Sequence, residues 1–464
     1  LPEEENIMDE SEVKTLNEAL EAEKAAHEQT RTQLALIEAA YRHFVPTQFI
    51  KLMGADSILR AQPGMHAEQS LTILFSDIRN FTTLSESMSP EENFRFLNSY
   101  LREMEPVIRN SGGFIDKFIG DAIMALFSGC ADDALQAAIR MQHKLEAYNQ
   151  GRDRARYGAL RIGIGLNSGI TMLGTVGGEG RMDSTVIGDT VNLAARLETV
   201  SKTYGVALLI SEHTLYGLAD PLLYHIRLID RIRVKGKIHP QSVHEVFDAD
   251  PVALREAKRS TLIQFEEAIA CYHLREVERA KTLFLKCIEM VPEDSVAVLY
   301  LERCERFLAT GVHEGTGELD LIPAWRDEYS IGVPEVDAQH KELLRQIHKL
   351  SDCFREGRKL DVQEILKFLA GYAVHHFSTE EKLMQKSNYP FTVQHIREHQ
   401  TFVKYFTKLC QEIELSEPNS TYVTFRIQLL LVDWLINHTT KTDRHLGVYL
   451  LNKDVAEPAP GFVA

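Results

Sequence analysis

Residues 71–86 read LTILFSDIRNFTTLSE, and residues 112–127 read GGFIDKFIGDAIMALF. The apolar run Leu71–Phe75 has the length of a buried strand. It ends at Asp77, and the pattern then predicts a helix over Asn80–Glu86. That junction sets a carboxylate beside the free amides of a helix start, which favour phosphate oxygens. A second carboxylate, Asp121, sits in a Gly-Asp turn between the apolar runs Phe114–Ile119 and Ala122–Phe127. Two such turns in one sheet can bring both carboxylates onto a pair of divalent cations holding a triphosphate. Either aspartate taken alone reads better as an ordinary strand end.

Three motifs stand in order: FSDIRNFT at 75–82, KFIGDAIMALF at 117–127 and TVIGDTVNLAARLE at 185–198. Together they resemble the catalytic domain of the class III nucleotidyl cyclases, over residues 67–248. The resemblance implies that Asp77 and Asp121 hold two Mg2+ or Mn2+ ions on a nucleoside triphosphate. The Ile78 carbonyl would be an extra ligand and Phe81 a further substrate-binding residue. One ion would activate the ribose 3′-hydroxyl and the other would clamp the phosphates. Asn192 and Arg196, four apart on one helix face, would hold the ribose and stabilise the transition state. Lys235 in RVKGK, or its neighbour Lys237, would reach the terminal phosphates.

The resemblance also names the residues that choose the base, here Lys117 and Thr185. A lysine donor suits N1 of adenine, and a hydroxyl accepts from the 6-amino group. Guanylate cyclases carry an acid at the first place, where guanine offers N–H donors, so Lys117 would be mispaired with guanine. The expected reaction is therefore ATP to 3′,5′-cyclic AMP and pyrophosphate. Thr185 departs from the animal adenylate cyclases, which have Asp there, so some GTP use stays open. The family builds its sites across a dimer interface. Asp77 and Asp121 would come from one chain, and Lys117, Thr185, Asn192, Arg196 and Lys235 from the other. A homodimer would hold two equivalent sites, with no dedicated protein base.

The chain has 464 residues, 44% of them apolar, which bounds it at about three domains. A formal charge of −16 argues against nucleic-acid or anionic-membrane partners. Six scattered cysteines without a CxxC pair fit reduced thiols and a cytoplasmic location. No apolar run reaches the length of a membrane span, although the chain starts at Leu1, and an upstream membrane or sensor region stays open.

Residues 1–44 read as an acidic tail followed by one long helix from Glu10 to about Phe44. Val13, Leu20, Leu34 and Tyr41 share one heptad position, and Leu16, Ile37 and Phe44 share another. A parallel coiled coil is expected, with a single amphipathic helix as the alternative. Pro46 breaks the helix, and residues 45–66 form a linker. Residues 67–248 alternate strand-like and helix-like runs, the pattern of an α+β, or α/β sandwich, domain. Gly163, Gly165 and Gly169 mark close backbone approach. LGTVGGEGRMD at Leu173–Asp183 reads as a mobile Gly-rich turn, not a P-loop. Residues 249–312 resemble one tetratricopeptide-like helical hairpin, expected to be a packed connector. Residues 313–322 are a linker, 323–452 a second domain and 453–464 a tail.

Residues 323–452 carry a second constellation. His340 lies in PEVDAQHKELL; His376 and Glu380 in HFSTEEKLM; His395 and His399 in HIREHQTF; His438 and Asp443 in WLINHTTKTDRHL. The i, i+4 intervals set the middle pairs on single helix faces. Five imidazoles and two carboxylates on four helices suit two iron ions with bridging carboxylates better than zinc. This segment resembles the hemerythrin family. The resemblance implies an all-α four-helix bundle, a non-haem di-iron centre that binds dioxygen, and Glu380 and Asp443 as the bridging ligands. Trp325 and Tyr329 resemble the family's N-terminal segment, while Phe377 and Trp434 are expected to pack the core. His348, His375 and His445 read as structural. The joint expectation is a cyclase governed by dioxygen, nitric oxide, peroxide or redox state. A guanylate cyclase with the same sensor, or a non-catalytic oxygen- or iron-binding protein, are the alternatives.

Overall fold

The structure is a computed structural model. It describes residues 10–41, 46–55, 60, 62–154, 158–178, 181–232, 241–312, 314, 325–356, 358–415 and 421–456. Contacts divide it into two compact units, Leu1–Ala67 with Leu173–Thr185, and Glu68–Met172 with Val186–Ala464.

In the first unit, α1 (Glu10–Tyr41) is a single helix, and α2 (Thr47–Leu52) starts after Pro46. Leu20, Leu34 and Ile37 are exposed along α1, as a seam awaiting a partner would be. Phe44 lies outside the described residues. The segment read as a mobile Gly-rich turn is instead the end of a strand ribbon, a correction to that expectation. Strand β4 runs on to Gly178, and β5 (Arg181–Ile187) pairs with it. Cross-strand pairing here outweighs the weak strand propensity of glycine. Gly177 has φ +138°, and a Cβ there would lie 2.1 Å from the Arg181 carbonyl oxygen, so the ribbon needs glycine at that point.

The second unit holds most of the sheet. Strand β1 (His66–Ile78) leads through α3 (Phe81–Glu86) and α4 (Pro90–Asn110) to the hairpin β2 (Gly113–Ile119) and β3 (Ala122–Phe127). Then come α5 (Ala131–Arg154), β4 (Ile162–Gly178), β5, α6 (Asp189–Tyr204), β6 (Leu208–Ser211), α7 (Glu212–Gly217), β7 (Ile226–Ile232) and β8 (Gln241–Val246). The strand order is β2-β3-β1-β4-β6-β8-β7, mixed in direction. Helix α4 starts on a capping box, with Ser89 and Glu92 exchanging side-chain and backbone bonds. Tyr100, Met104 and Ile108 of α4 are fully buried against the sheet and α5.

Helices α8 (Val252–His273), α9 (Val277–Met290) and α10 (Ser295–Thr310) cover the segment read as one helical hairpin, with one helix more than a hairpin has. Phe265, Phe284 and Tyr300 share one core with Leu197 of α6 and Ile229 of β7. Buried charges lock the register: Arg227 of β7 pairs with Glu245 at 2.6 Å and with Asp294 at 2.6 Å. Arg303 of α10 reaches Asp230 at 3.0 Å.

The bundle consists of α11 (Pro334–Arg355), α12 (Lys359–Ser387), α13 (Thr392–Leu415) and one last composite helix. That helix runs through α14 (Thr421–Ile427), a π-helical segment Gln428–Asp433, α15 (Trp434–Asn437), a second π segment His438–Asp443, and α16 (Arg444–Ala456). Tyr216 of α7 belongs to the bundle core, and Phe425 of the last helix belongs to the connector core.

Candidate active site and metal cage

Antiparallel pairing of β1 with β3 sets Ser76 opposite Ile123, so the end of β1 meets the β2–β3 turn. Asp77 and Asp121 thus come together as the two apolar runs require. The Ile78 backbone N–H donates to the Asp121 carboxylate at 3.3 Å. Burial first, then the hydrogen bond and negative charge of Asp77, push the Asp121 carboxyl up to about 7. Two acids this close, half-buried, form a place for cations. The Phe81 side chain stacks on Phe96 with ring centres 6.3 Å apart.

Lys117 lies on β2 just after a bulge between Ile115 and Lys117, 3.4 Å from Asp116 and 35% exposed. Phe118 and Ile119, further along the same strand, are exposed. Thr185 is half-buried on β5. Asn192 and Arg196 are exposed on α6, and neither makes a side-chain hydrogen bond among the described residues. Among the described residues, no hydrogen bond or ion pair joins either of them to Asp77 or Asp121. Lys235 and Lys237 lie outside the described residues.

Arg79 is a residue that sequence reading passed over, although it stands inside the first motif. Its guanidinium donates to the Glu198 carboxylate at 3.1 Å and to the Ser201 hydroxyl, tying the end of β1 to α6. A Cβ at Gly163 would fall 1.8 Å from that guanidinium, and one at Gly165 would strike the α6 backbone at 2.3 Å. The close approaches read from the sequence are thus real. They let the helix bearing Asn192 and Arg196 lie directly on β4.

All seven candidate iron ligands converge in the bundle, each at most 3% exposed. They form two groups, His340, His376, Glu380 and Asp443, and Glu380, His395, His399 and His438. Glu380 stands between them. Its Oε1 is 3.7 Å from His340 and 3.5 Å from His376, and its Oε2 is 3.5 Å from His395 and 3.1 Å from His399. Asp443 divides likewise, with Oδ2 3.2 Å from His340 and Oδ1 3.1 Å from His395 and 3.0 Å from His438.

Donor atoms pointing inward at these separations, many without a hydrogen bond, fit cations held between them. Burial acts against charge on Glu380 and Asp443. The two acids nevertheless lie well below the carboxylate range, because the imidazoles around them offset that burial. The donor set of nitrogen and oxygen without sulfur, with shared carboxylates, fits a pair of iron ions.

Outer partners fix the rings. Gln339 bonds His376 Nδ1 at 3.0 Å, Glu398 bonds His438 Nδ1 at 3.1 Å, and Glu381 lies 3.4 Å from His399 Nδ1. Phe377 stacks on His399 at 3.9 Å and Trp434 on His438 at 4.5 Å, so both aromatics hold ligands as well as filling the core.

The same helix that carries His438 and Asp443 docks on the sheet. Asn437 donates to Glu212 at 2.9 Å and accepts from Gln241 at 2.9 Å. Lys441 donates to Gln241 at 2.7 Å and contacts His213, and Arg231 pairs with Asp433 at 2.5 Å. Another chain of bonds leaves the cage at Glu398, passes to Gln394 at 3.5 Å, and ends on Ser70 of β1. Between these contacts lies a cleft of about 540 Å³ lined by Asn192 from one side and by His395 and Glu398 from the other.

Residues 64–247 match the family model of the adenylate and guanylate cyclase catalytic domain. Residues 331–450 match that of the hemerythrin HHE cation binding domain. An adenylate cyclase of Anabaena cylindrica is 45% identical over 213 residues, which are 45% of this chain and 42% of that protein. The terminal-differentiation-specific adenylate cyclase of Dictyostelium discoideum is 36% identical over 280 residues, 59% of this chain and 13% of that protein. A bacteriohemerythrin of Stenotrophomonas maltophilia is 27% identical over 120 residues, 26% of this chain and 76% of that protein. The chain spans less than half the length of either of these cyclase relatives.

Proposed function

We propose that this chain, which carries a class III cyclase catalytic domain and a hemerythrin domain, converts ATP to cyclic AMP and pyrophosphate under control of its metal cage. The observation that carries the reading is the shared cleft. Asn192, a transition-state candidate, and His395, an iron-ligand candidate, line the same cavity. The proposed domain limits, 67–248, 249–312 and 323–452, are supported by the three helices of the connector and by the docked bundle.

Divalent cations, when bound at Asp77 and Asp121, would supply charge to the triphosphate and acidity to the 3′-hydroxyl. Asp77, Asp121 and the Ile78 carbonyl hold and orient; Lys117 and Thr185 of a second copy read the base; Asn192 and Arg196 of that copy complete the site, with its Lys235 toward the phosphates. Arg79 positions the end of β1 against α6. Homodimerisation is supported by the outward-facing Asn192 and Arg196, and by the exposed Phe118 and Ile119 beside the Asp121 turn.

Iron, when bound in the cage, would supply a charge and coordination that respond to dioxygen or redox state. Glu380 and Asp443 hold both ligand groups together, and Glu398 fixes the His438 tautomer. The bonds from Asn437, Lys441 and Gln394 then carry any displacement to β8, α7 and β1. Among the described residues, no helix is long and apolar enough to cross a membrane.

The test is a cyclase assay with ATP and with GTP on one iron-loaded sample, aerobic and anaerobic, with the visible spectrum recorded. Equal rates in the oxygenated, ferrous and metal-free forms would overturn the regulatory reading. Absence of any cyclic product with Mn2+ would favour a non-catalytic binding protein.

A further inference from the structure

A second cavity, of about 410 Å³, lies where β8, the connector helix α8 and the bundle meet. It plays no part in the cyclase or iron chemistry above. On β8, Ser242 and His244 alternate and so share a face of the strand, and both line the cavity. Ser242 is 4% exposed. Its hydroxyl and the His244 Nδ1 are buried and find no hydrogen-bond partner among the described residues. Native interiors seldom leave two such groups unmet in one place unless something fills it. Arg426, 17% exposed, forms part of the wall, and the exposed Arg259 and Lys408 also line it.

The electrostatics of this lining run against those of the chain, whose formal charge is −16. Three cationic side chains face two acids. Of these acids, Glu266 accepts from the Tyr422 hydroxyl at 3.0 Å, and its negative charge acts on Arg426. The carboxyl of the other, Glu212, is pushed up to about 8 by burial and by Asp433. Arg426 pairs with Glu412 at 3.3 Å and Arg259 with Glu256 at 3.0 Å, partners outside the lining. The rest of the wall is apolar, with Leu222, Phe247 and Leu430 among its members. The volume falls within the range of small-molecule sites, which favour domain junctions.

We propose that this junction cavity binds a small organic anion, with its acidic group toward Arg259, Lys408 and Arg426, its body on the apolar wall, and a polar group on Ser242 and His244. A carboxylate and a phosphate monoester share the required chemistry. Because the walls come from the sheet, the connector and the bundle, occupancy fastens the three together.

The test uses the full chain with benzoate and phenyl phosphate as probes, and benzamide as the neutral isostere, by calorimetry and by NMR of 13C-labelled histidines. At least one anion is expected to bind saturably at millimolar concentration, to move the His244 signal, and to exceed benzamide by about tenfold in affinity. Which anion binds distinguishes carboxylate from phosphate. Lys408→Glu, at an exposed position that folding tolerates, is expected to weaken binding by about tenfold. Ser242→Ala is expected to weaken it too while leaving the free protein no less stable. Equal binding of benzamide, no binding of either anion, or anion binding that leaves His244 unmoved and is indifferent to Lys408→Glu would each overturn the proposal.

Discussion

His438 Nε2 lies 3.0 Å from Oδ1 of Asp443, five residues further along the same helix. In a regular α-helix residues five apart diverge by about 140°, since each residue turns about 100°. The π-helical segment His438–Asp443 closes that gap, because i→i+5 bonding stacks residues five apart. Removing Thr440 would restore α spacing of four but turn the segment beyond it. The expected outcome is a fall in bound iron to about half or less of the wild-type content, by elemental analysis of purified protein. Unchanged iron content would show that the π turn does not serve the cage.

Asp77→Ala and Arg196→Ala should each lower cyclase activity by more than about a hundredfold, since even outer-shell partners of a metal cost up to that much. The proposed site takes the two residues from different chains. Mixing the two inactive variants should therefore restore about a quarter of the wild-type rate, because half the dimers are mixed and each has one intact site. A mixture as inactive as its parts would rule out sites shared between copies.

Much of this arrangement could be read in the sequence where one local rule governs it. Helix α4 has the bounds its Pro and apolar period predict, and the i, i+4 spacings of His376–Glu380 and His395–His399 place those pairs as expected. What escaped reading depends on distant partners. Strand β4 extends past Asn167 through a glycine-rich stretch to Gly178, where β5 pairs with it. Strands β7 and β8 do not stand out in the sequence, since charges such as Arg227 and Glu245 sit inside them; these pair with each other, with Asp294 at the start of α10 and with Lys258 of α8. Arg79, Glu398 and Gln394 carry no spacing signal at all. Their roles arise from Glu198, His438 and Ser70, each far away in sequence.

Lys117→Glu should invert base preference. An acid there meets the N–H edge of guanine and is mispaired with adenine. The ratio of kcat/KM for ATP over GTP is expected to fall by about a hundredfold, within the range that unmatched polar groups produce. A ratio that does not move would remove Lys117 from base recognition.

Gln394→Leu cuts the chain of bonds between Glu398 and Ser70 without touching a ligand of either metal site. Iron content and the rate of the metal-free form should stay near wild type. The ratio of rates between iron-loaded and metal-free protein should shrink toward one, from a value expected at about five to a hundredfold for ordinary coupled sites. If the ratio persists, the signal passes by Asn437 and Lys441 instead, and Asn437→Ala should then remove it.

Glu212 gives the docking surface a pH dependence whose sign follows from its burial. Burial, then the negative charge of Asp433, raises its carboxyl from the ordinary 4.5 to about 8, opposed by Lys441, Arg231 and the Asn437 amide. Between those two values the folded state keeps a proton that the unfolded state has released. Stability from this group therefore declines as pH rises from about 4.5 and levels off above about 8. Glu212→Gln keeps the shape and a hydrogen-bonding carbonyl for Asn437 but cannot ionise. Its thermal midpoint should match wild type near pH 5 and exceed it near pH 9, in scans read by the Trp434 fluorescence beside the dock. Parallel curves for the two proteins across that range would mean that Glu212 is ionised in the fold, its charge held by Lys441 and Arg231.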